Sequence, residues 1–491
     1  MSRTDMTPGG RNLLTVFPSI MLPMFLAVVD QTIVATALPA IAAELGNVEH
    51  VSWVVVSYLV ATTIAAPVYG QLRDVFGSKP MMFIALGIFI GASLACAVST
   101  SIPVLTAARV LQGLGGGGLM TLSQAMIGEA IPPRDRARYQ GYLAAIMVTS
   151  SAFGPVAGGY LTEHFGWRSV FLINIPVGLL ALLLTLRIER RPASDQPWTF
   201  DTPGLLLLVA FIVPVLVALG QLQRLQPSML PAVAAALAFG IIALVLLIRR
   251  EKRATFPLLP IGLLRNPTIW RSDALAACHG ATLVSLVTFL PIYLHVAKGA
   301  SAAQAGLLLL PMMFGIGFGS MLTGRIMSRT GYTMIFPSVG LVFAAATIIA
   351  MALWISHLSP FQLGWVLFLN GLFMGTVMGV VQVTVQSASL PNSLGAGAAS
   401  VQLSRSLGAA AGTALVGTVL FATLSLLDPD AARIFASLIE HGRGAAPSLP
   451  PARQAIVQAE IARAFRMAFL TIAGFCLCGL ALAWTIPTRR L

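Results

Sequence analysis

The stretch G-Q-L-R-D-V-F-G-S-K, Gly70 to Lys79, sets three charged side chains between two long apolar runs. Charges so placed end one membrane-crossing helix and open the next. The glycines at either end permit a tight turn against packed helices. A looser copy, G-R-I-M-S-R-T-G (Gly324 to Gly331), stands 254 residues later. L-Q-G-L-G-G-G (Leu111 to Gly117) returns as L-N-G-L-F-M-G (Leu369 to Gly375), and V-A-T-A-L-P (Val34 to Pro39) as L-V-T-F-L-P (Leu286 to Pro291), at offsets of 258 and 252. Near-constant offsets predict a duplicated chain: two six-helix halves, 13–187 and 271–487, joined by a segment, 188–270, that carries two further helices. Transport proteins are commonly built from such repeats, with the binding site between them at mid-membrane.

Composition agrees with an all-α multi-pass membrane protein. The 491 residues are 57% apolar and 10% charged, against roughly 25% charged in a soluble domain. Gly (45) and Pro (30) are frequent, as helices in lipid tolerate. Fourteen segments are near the ~20 residues a spanning helix needs. They are 13–39, 51–72, 81–99, 103–130, 138–161, 168–187, 203–222, 228–249, 271–296, 303–327, 332–356, 361–386, 397–426 and 463–487. Residues 1–12 and 488–491 are then cytoplasmic tails, and 427–462 an extracellular loop.

The net charge of +13 is a topological signal. With the N-terminus inside, 20 of the 30 basic residues fall on predicted inner segments, as the positive-inside rule requires. No basic groove or motif calls for nucleic acid. The four cysteines, Cys96, Cys278, Cys476 and Cys478, lie in apolar runs without metal or redox spacing, so no metal or cofactor is expected. Ala35-Thr36-Ala37 looks like a signal-cleavage site, but the apolar run before it is too long for a signal peptide and Asp30 interrupts it.

Asp30 is the expensive residue. Ionisable groups inside membrane helices are rare and usually line a pathway or proton relay. In the fourth span, R-V-L-Q-G-L-G-G-G-G (Arg109 to Gly118) carries a second charge, with Gln112 on the same helical face. Asp30 lies nine residues before Pro39, about 13 Å below the outer end; Arg109 lies six residues after Pro103, about 9 Å below it. A pair at that depth lowers the cost of both charges, whether its role is proton coupling or purely structural. The fifth span, S-S-A-F-G-P-V-A-G-G-Y-L (Ser150 to Leu161), repeats small residues at Ser150, Gly154 and Gly158, a close-packing face, and Pro155 is expected to kink it.

The Gly-x-Leu-x-Asp-x-x-Gly-x-Lys spacing of Gly70, Asp74, Gly77 and Lys79 resembles the signature of the major facilitator superfamily. Gly-Pro-x-x-Gly-Gly at Gly154, Pro155, Gly158 and Gly159 resembles its antiporter motif. V-S-W-V-V-V-S-Y (Val51 to Tyr58), P-P-R-D-R-A-R-Y-Q-G (Pro132 to Gly141) and F-G-W-R-S-V-F-L-I-N-I-P-V-G (Phe165 to Gly178) extend the likeness over nearly the whole chain. It is similar to the fourteen-helix drug:proton antiporters. The resemblance implies proton coupling through Asp30 and Arg109, and an inner gate at Gly70, Arg73, Asp74, Gly77 and Lys79. It implies a monomer in the plasma membrane, a bacterial inner membrane, with both termini cytoplasmic. Its partners are protons, a lipophilic substrate and the bilayer.

Departures are Ala35, where the family often has Asn, and Ser328, where the second gating loop has no acid. The ninth span has only Asp273 and the thirteenth no acid, which argues against a preference for dications. Glu129 is expected in the inner charge network, His279 and His295 as structural, and Arg405 near an inner helix end, snorkelling or bound to carbonyls. Gln112, Asn370, Met374 and Met378 are cavity candidates; for the methionines, adaptable ligand contact competes with plain packing. Rival functions are export of one endogenous metabolite (a fatty acid, siderophore or antibiotic), proton-coupled peptide uptake, an intramembrane enzyme and a non-transporting sensor. The peptide symporters' E-x-x-E-R is absent, as are G-x-S-x-G, H-E-x-x-H and paired catalytic aspartates, so no enzyme is expected.

Overall fold

The computed structural model describes residues 8–46, 51, 53–188, 199–222, 229–259, 261–300, 302–390, 393–441 and 451–490. The first half comprises α1 (Pro8–Leu45), α2 (Trp53–Phe76), α3 (Ser78–Ala97), α4 (Ile102–Ala130), α5 (Pro133–Phe165), α6 (Ser169–Leu172) and α7 (Asn174–Thr185). The insert is α8 (Thr202–Leu222) and α9 (Leu230–Glu251). The second half holds α10 (Pro267–Val296), α11 (Ala302–Thr330), α12 (Ile335–Trp354), α13 (Pro360–Ala388), α14 (Leu394–Leu427), α15 (Pro429–His441) and α16 (Pro451–Thr485).

Twelve of these helices are long and apolar enough to cross a membrane. The two other expected spans are also helical. α4 is 29 residues long, and its arginine, glutamine and glycine run dilute its hydropathy. The sixth span divides into α6 and α7 around Ile173, which itself keeps helical angles. Pro176, two residues into α7, has no N–H to offer the carbonyl of Leu172, which weakens the ladder there. The count is compatible with fourteen spans.

One expectation is corrected. Most of the stretch read as an extracellular loop, 427–462, is helical where described: α15 occupies its first part and α16 starts at Pro451, well before residue 463. The reason is an apolar face. Ala431 and Phe435 of α15 are buried, with the Phe435 ring 5.4 Å from Phe421 and 5.9 Å from Phe465. α15 therefore covers the end of the second half.

The duplication is visible in the packing. A methyl at Gly113 would stand 2.6 Å from the Tyr58 carbonyl oxygen, and one at Gly117 2.5 Å from that of Thr62. α4 thus lies directly on the backbone of α2. At the offset of 258, Gly371 and Gly375 of α13 meet the carbonyls of Met312 and Ile316 on α11 in the same way. The repeated glycines exist because only a residue without Cβ allows these two helix pairs to touch.

The halves meet mainly through α2 with α14 and α5 with α11. Hydrogen bonds from Gln386 to Gln124 and from Gly395 and Ala396 to Asp74 join them directly near one face, the inner one in the orientation the charge bias predicts. The insert docks beside this seam, where Leu208 and Ile212 of α8 share an apolar cluster with Ile64 of α2 and Leu403 of α14.

Candidate functional site

Asp30 and Arg109 form a fully buried ion pair, Nη1 to Oδ2 2.6 Å, each with 0% of its side chain exposed. The other carboxylate oxygen accepts from Gln112 Nε2 at 2.8 Å and Asn174 Nδ2 at 2.7 Å. Arg109 also donates from Nε to the Val54 carbonyl at 3.1 Å and from Nη1 to Gln112 Oε1 at 2.7 Å. Its guanidinium carbon lies 4.1 Å from the centre of the Tyr58 ring, a cation–π contact. The Tyr58 hydroxyl donates to the Ala27 carbonyl at 3.2 Å, tying α2 to α1. One guanidinium nitrogen, Nη2, has no protein partner.

This cluster draws on α1, α2, α3, α4 and α7. Ser93 of α3 accepts from Gln112 at 2.8 Å. Apolar clusters lie on both sides of it. Ala27, Val28, Tyr58 and Phe89 belong to one, and Val29, Ile33, Leu105 and Phe171 to the other. Asp30 therefore points into the first half, in a polar layer between two apolar ones, and not into the space between the halves. Gln112, expected to line a cavity, is fully buried in the same layer. Asn174 and Tyr58 escape notice in the sequence. A polar Asn inside the apolar run of the sixth span was the available signal for the first.

At the face expected to be the inner one, Arg73 bonds Asp74 at 2.6 Å and Glu129 at 2.7 Å, and the Ser78 hydroxyl donates to Glu129 at 2.5 Å. Asp74 reaches the other half. Its two oxygens accept from the backbone N–H groups of Gly395 (2.9 Å) and Ala396 (3.0 Å). These are orphan donors in the first turn of α14, so a carboxylate of one half caps a helix of the other. Gly70 admits this approach: a methyl there would stand 2.7 Å from the Gly395 carbonyl oxygen. Gln386 of α13 adds a bond from Nε2 to the Gln124 carbonyl, 2.8 Å. Gly77, at a φ of 87°, makes the turn into α3. Lys79 does not join the seam; its ammonium bonds the carbonyls of Leu186 and Ile188, both 2.8 Å away, within its own half.

The small-residue face of α5 lies on α1. Methyls at Gly154 and Gly158 would meet the Thr32 and Thr36 hydroxyls, while Gly159 has open space and Pro155 is exposed. α5 runs through Pro155 as one helix. The Gly154–Gly159 stretch thus braces the turns of α1 just beyond Asp30.

The second half is arranged otherwise. Asn370 is buried and donates to Thr347 Oγ1 at 2.9 Å and to the Ala344 carbonyl at 3.3 Å, so it ties α13 to α12. Met374 is buried and Met378 half-buried. His279 bonds the Met374 carbonyl through Nε2 at 3.2 Å, and His295 bonds the carbonyl of Ala300 at 2.9 Å. Asp273 is 4% exposed. One of its oxygens accepts from Ser400 at 3.2 Å and the other has no partner. Arg405, expected near a helix end, lies 11 residues into α14, about 16 Å along its axis.

Comparison with known proteins accounts for this architecture. The family model described as Major Facilitator Superfamily matches residues 20–413. An uncharacterized MFS-type transporter of Mycobacterium tuberculosis is 31% identical over 91% of this chain and 64% of its own length. The chain thus spans just under two thirds of that relative. The multidrug transporter protein MdtP of Bacillus subtilis is 28% identical, over 82% of this chain and 74% of its own. Among solved structures, the proton:xylose symporter XylE bound to 6-bromo-6-deoxy-D-glucose superposes with a TM-score of 0.63 at 13% identity, covering 98% of this chain and 97% of that one. That last likeness is one of fold.

Proposed function

The chain belongs to the major facilitator superfamily, and from that premise we propose that it is a proton-coupled efflux antiporter, exporting lipophilic drugs or similar small molecules by alternating access. The family and fold are those of transporters, and relatives named as multidrug transporters and efflux pumps favour export. We place it in the plasma membrane, working as a monomer with both termini cytoplasmic.

The carrying observation is the sealed Asp30–Arg109 pair. Bare, each charge would be prohibitively costly in a membrane; paired, the carboxylate is well satisfied. A proton arriving on Asp30 cancels the attraction and frees Arg109 to repartner. That rearranges the layer joining α1, α2, α3, α4 and α7. α1 and α5 carry the change to the seam, because α5 packs on α1 at one side and on α11 at the other. The Asp74 cap on α14 is the contact that has to break for the inner side to open. Each proton moving inward across 100 mV supplies about 2.3 kcal/mol.

The test is dye transport in inverted vesicles with an imposed pH gradient. Asp30→Asn is expected to abolish gradient-driven accumulation while leaving dye binding. If Asp30 only braces the helices, the variant will lower protein yield and keep the gradient dependence of what remains, and the coupling assignment fails. Export of a single endogenous metabolite is the second reading. A panel in which one compound class alone moves would favour it.

A further inference from the structure

Arg405 is a guanidinium about 16 Å along α14 from its start at Leu394, and the described residues give it no acid. Its one side-chain hydrogen bond runs from Nη2 to Gln402 Oε1, 3.2 Å, on its own helix. Asp273, the acid on the neighbouring α10, pairs with Ser400 instead. It lies seven residues before Gly280, the residue against which the Arg405 stem packs, a distance of about 10 Å along the helix.

Snorkelling does not explain the position. No residue described from Leu394 to Ala410 is exposed, and Arg405 itself is half-buried. Leu403 and Leu407, on the opposite side of α14, belong to the apolar cluster with α2 and α8. Gly408 and Gly412 press on Ala277 and Ala281 of α10. α14 also touches α4 of the first half, so this turn of the helix stands where the two halves face each other. His279, one residue before the Gly280 against which Arg405 packs, has no partner on its Nδ1 among the described residues.

We propose that Arg405 is the recognition point for an anionic group on the transported molecule, so that the substrates include lipophilic carboxylates. A guanidinium offers five N–H donors in a planar fork that matches a carboxylate two bonds at a time. Among the described residues one donor is used by Gln402 and the rest have no partner. His279, next to the Gly280 that Arg405 packs on, bonds the Met374 carbonyl and so links this turn of α10 to α13. The first half cannot play this part, because Arg109 is closed off by Asp30.

This deepens the export reading and rests on it, so the test separates binding from transport. Purified full-length protein in phosphatidylcholine nanodiscs is titrated with a fluorescent long-chain fatty acid, its methyl ester and a cationic dye. Wild-type protein is expected to bind the acid at least about tenfold more tightly than the ester, as a charged hydrogen bond implies. Arg405→Gln removes that preference and leaves the ester and the cation unchanged; Arg405→Lys restores part of it. Equal affinity of the wild type for acid and ester overturns the proposal without any variant. So does an equal loss of all three probes in Arg405→Gln. Displacement of the acid by phosphatidylglycerol, with no gradient-driven movement of the acid in vesicles that do move the dye, marks a lipid-headgroup site and also overturns it. Failure of every probe to move in vesicles, with the acid preference intact, counts against export and leaves the anion site standing.

Discussion

The two halves repeat one architecture and treat buried charge in opposite ways. In the first, an acid and a base meet with full burial, and amides from α4 and α7 complete the acid's shell. In the second, the acid Asp273 and the base Arg405 sit on neighbouring helices and do not meet. The cores differ accordingly. The first half has two apolar clusters with the polar layer between them, and the second has one continuous cluster. The pseudo-symmetric scaffold fixes where helices touch, through Gly113 and Gly117 or Gly371 and Gly375. It does not fix where charge is neutralised. A closed pair suits a switch that changes with protonation, whereas an unmatched charge on a helix that packs at the seam suits recognition.

The harshest way to break that contrast is Arg109→Ala. It strands a buried carboxylate, and the loss is expected at about 3–5 kcal/mol, read as lost folded protein in a thermal-stability assay. Asp30→Asn together with Arg109→Gln should recover much of the yield without recovering coupling. Recovery of both would show the pair to be a brace. Arg405→Gln is expected to leave stability nearly intact, because no buried partner is orphaned.

Overpacking comes next. Gly113→Ala and Gly371→Ala put a methyl into equivalent helix contacts, and each is expected to cost about 1–3 kcal/mol in the same assay. A large inequality would mean the repeat is less exact than its spacing. Asp74→Ala removes the cap that one half places on α14. The loss is about 1 kcal/mol, and it should appear as a larger open fraction in spin-label distances between the inner ends of α2 and α14.

The smallest expected effect lies at the far end of the second half. Burial raises the pKa of Asp428, but the hydrogen bond from Arg453, with the N–H groups of Ala431 and Asp430, outweighs it and holds the carboxyl below its usual range. A depressed folded pKa means stability present above the unfolded value of about 4 and lost as pH falls through the folded one. Proteolysis of the α15–α16 connection should therefore rise only in that acid window, and Arg453→Ala should weaken the pH dependence, leaving the part that the Ala431 and Asp430 N–H groups hold.

Much was legible in the chain. The echoes at offsets of 252 to 258 set the two halves and the insert, because a duplicated backbone keeps its helix lengths and close-packing glycines. The depth of Asp30 and Arg109, counted from Pro39 and Pro103, placed the two at one level, although α1 runs on past Pro39 to Leu45. That Asp74 would make helix-end contacts with the other half was legible, but not which N–H groups it would cap. The helix α15 was hidden by the polar residues of its outer face. Gln112 and Asn370 read as cavity-facing because a helical period gives a face but not its neighbour.

Sequence alone determined the membrane class, the duplication, the inner charge network and the one acid buried in the first span, since hydropathy, spacing and helix rise are local properties of the chain. Tertiary structure decided that Asp30 looks into its own half, that Asn174 and Tyr58 complete its cluster, and that Asp74 caps α14. It also left Arg405 without an acid among the described residues. Those outcomes depend on which helix faces are brought together across more than a hundred residues, and one-dimensional periodicity does not carry that information.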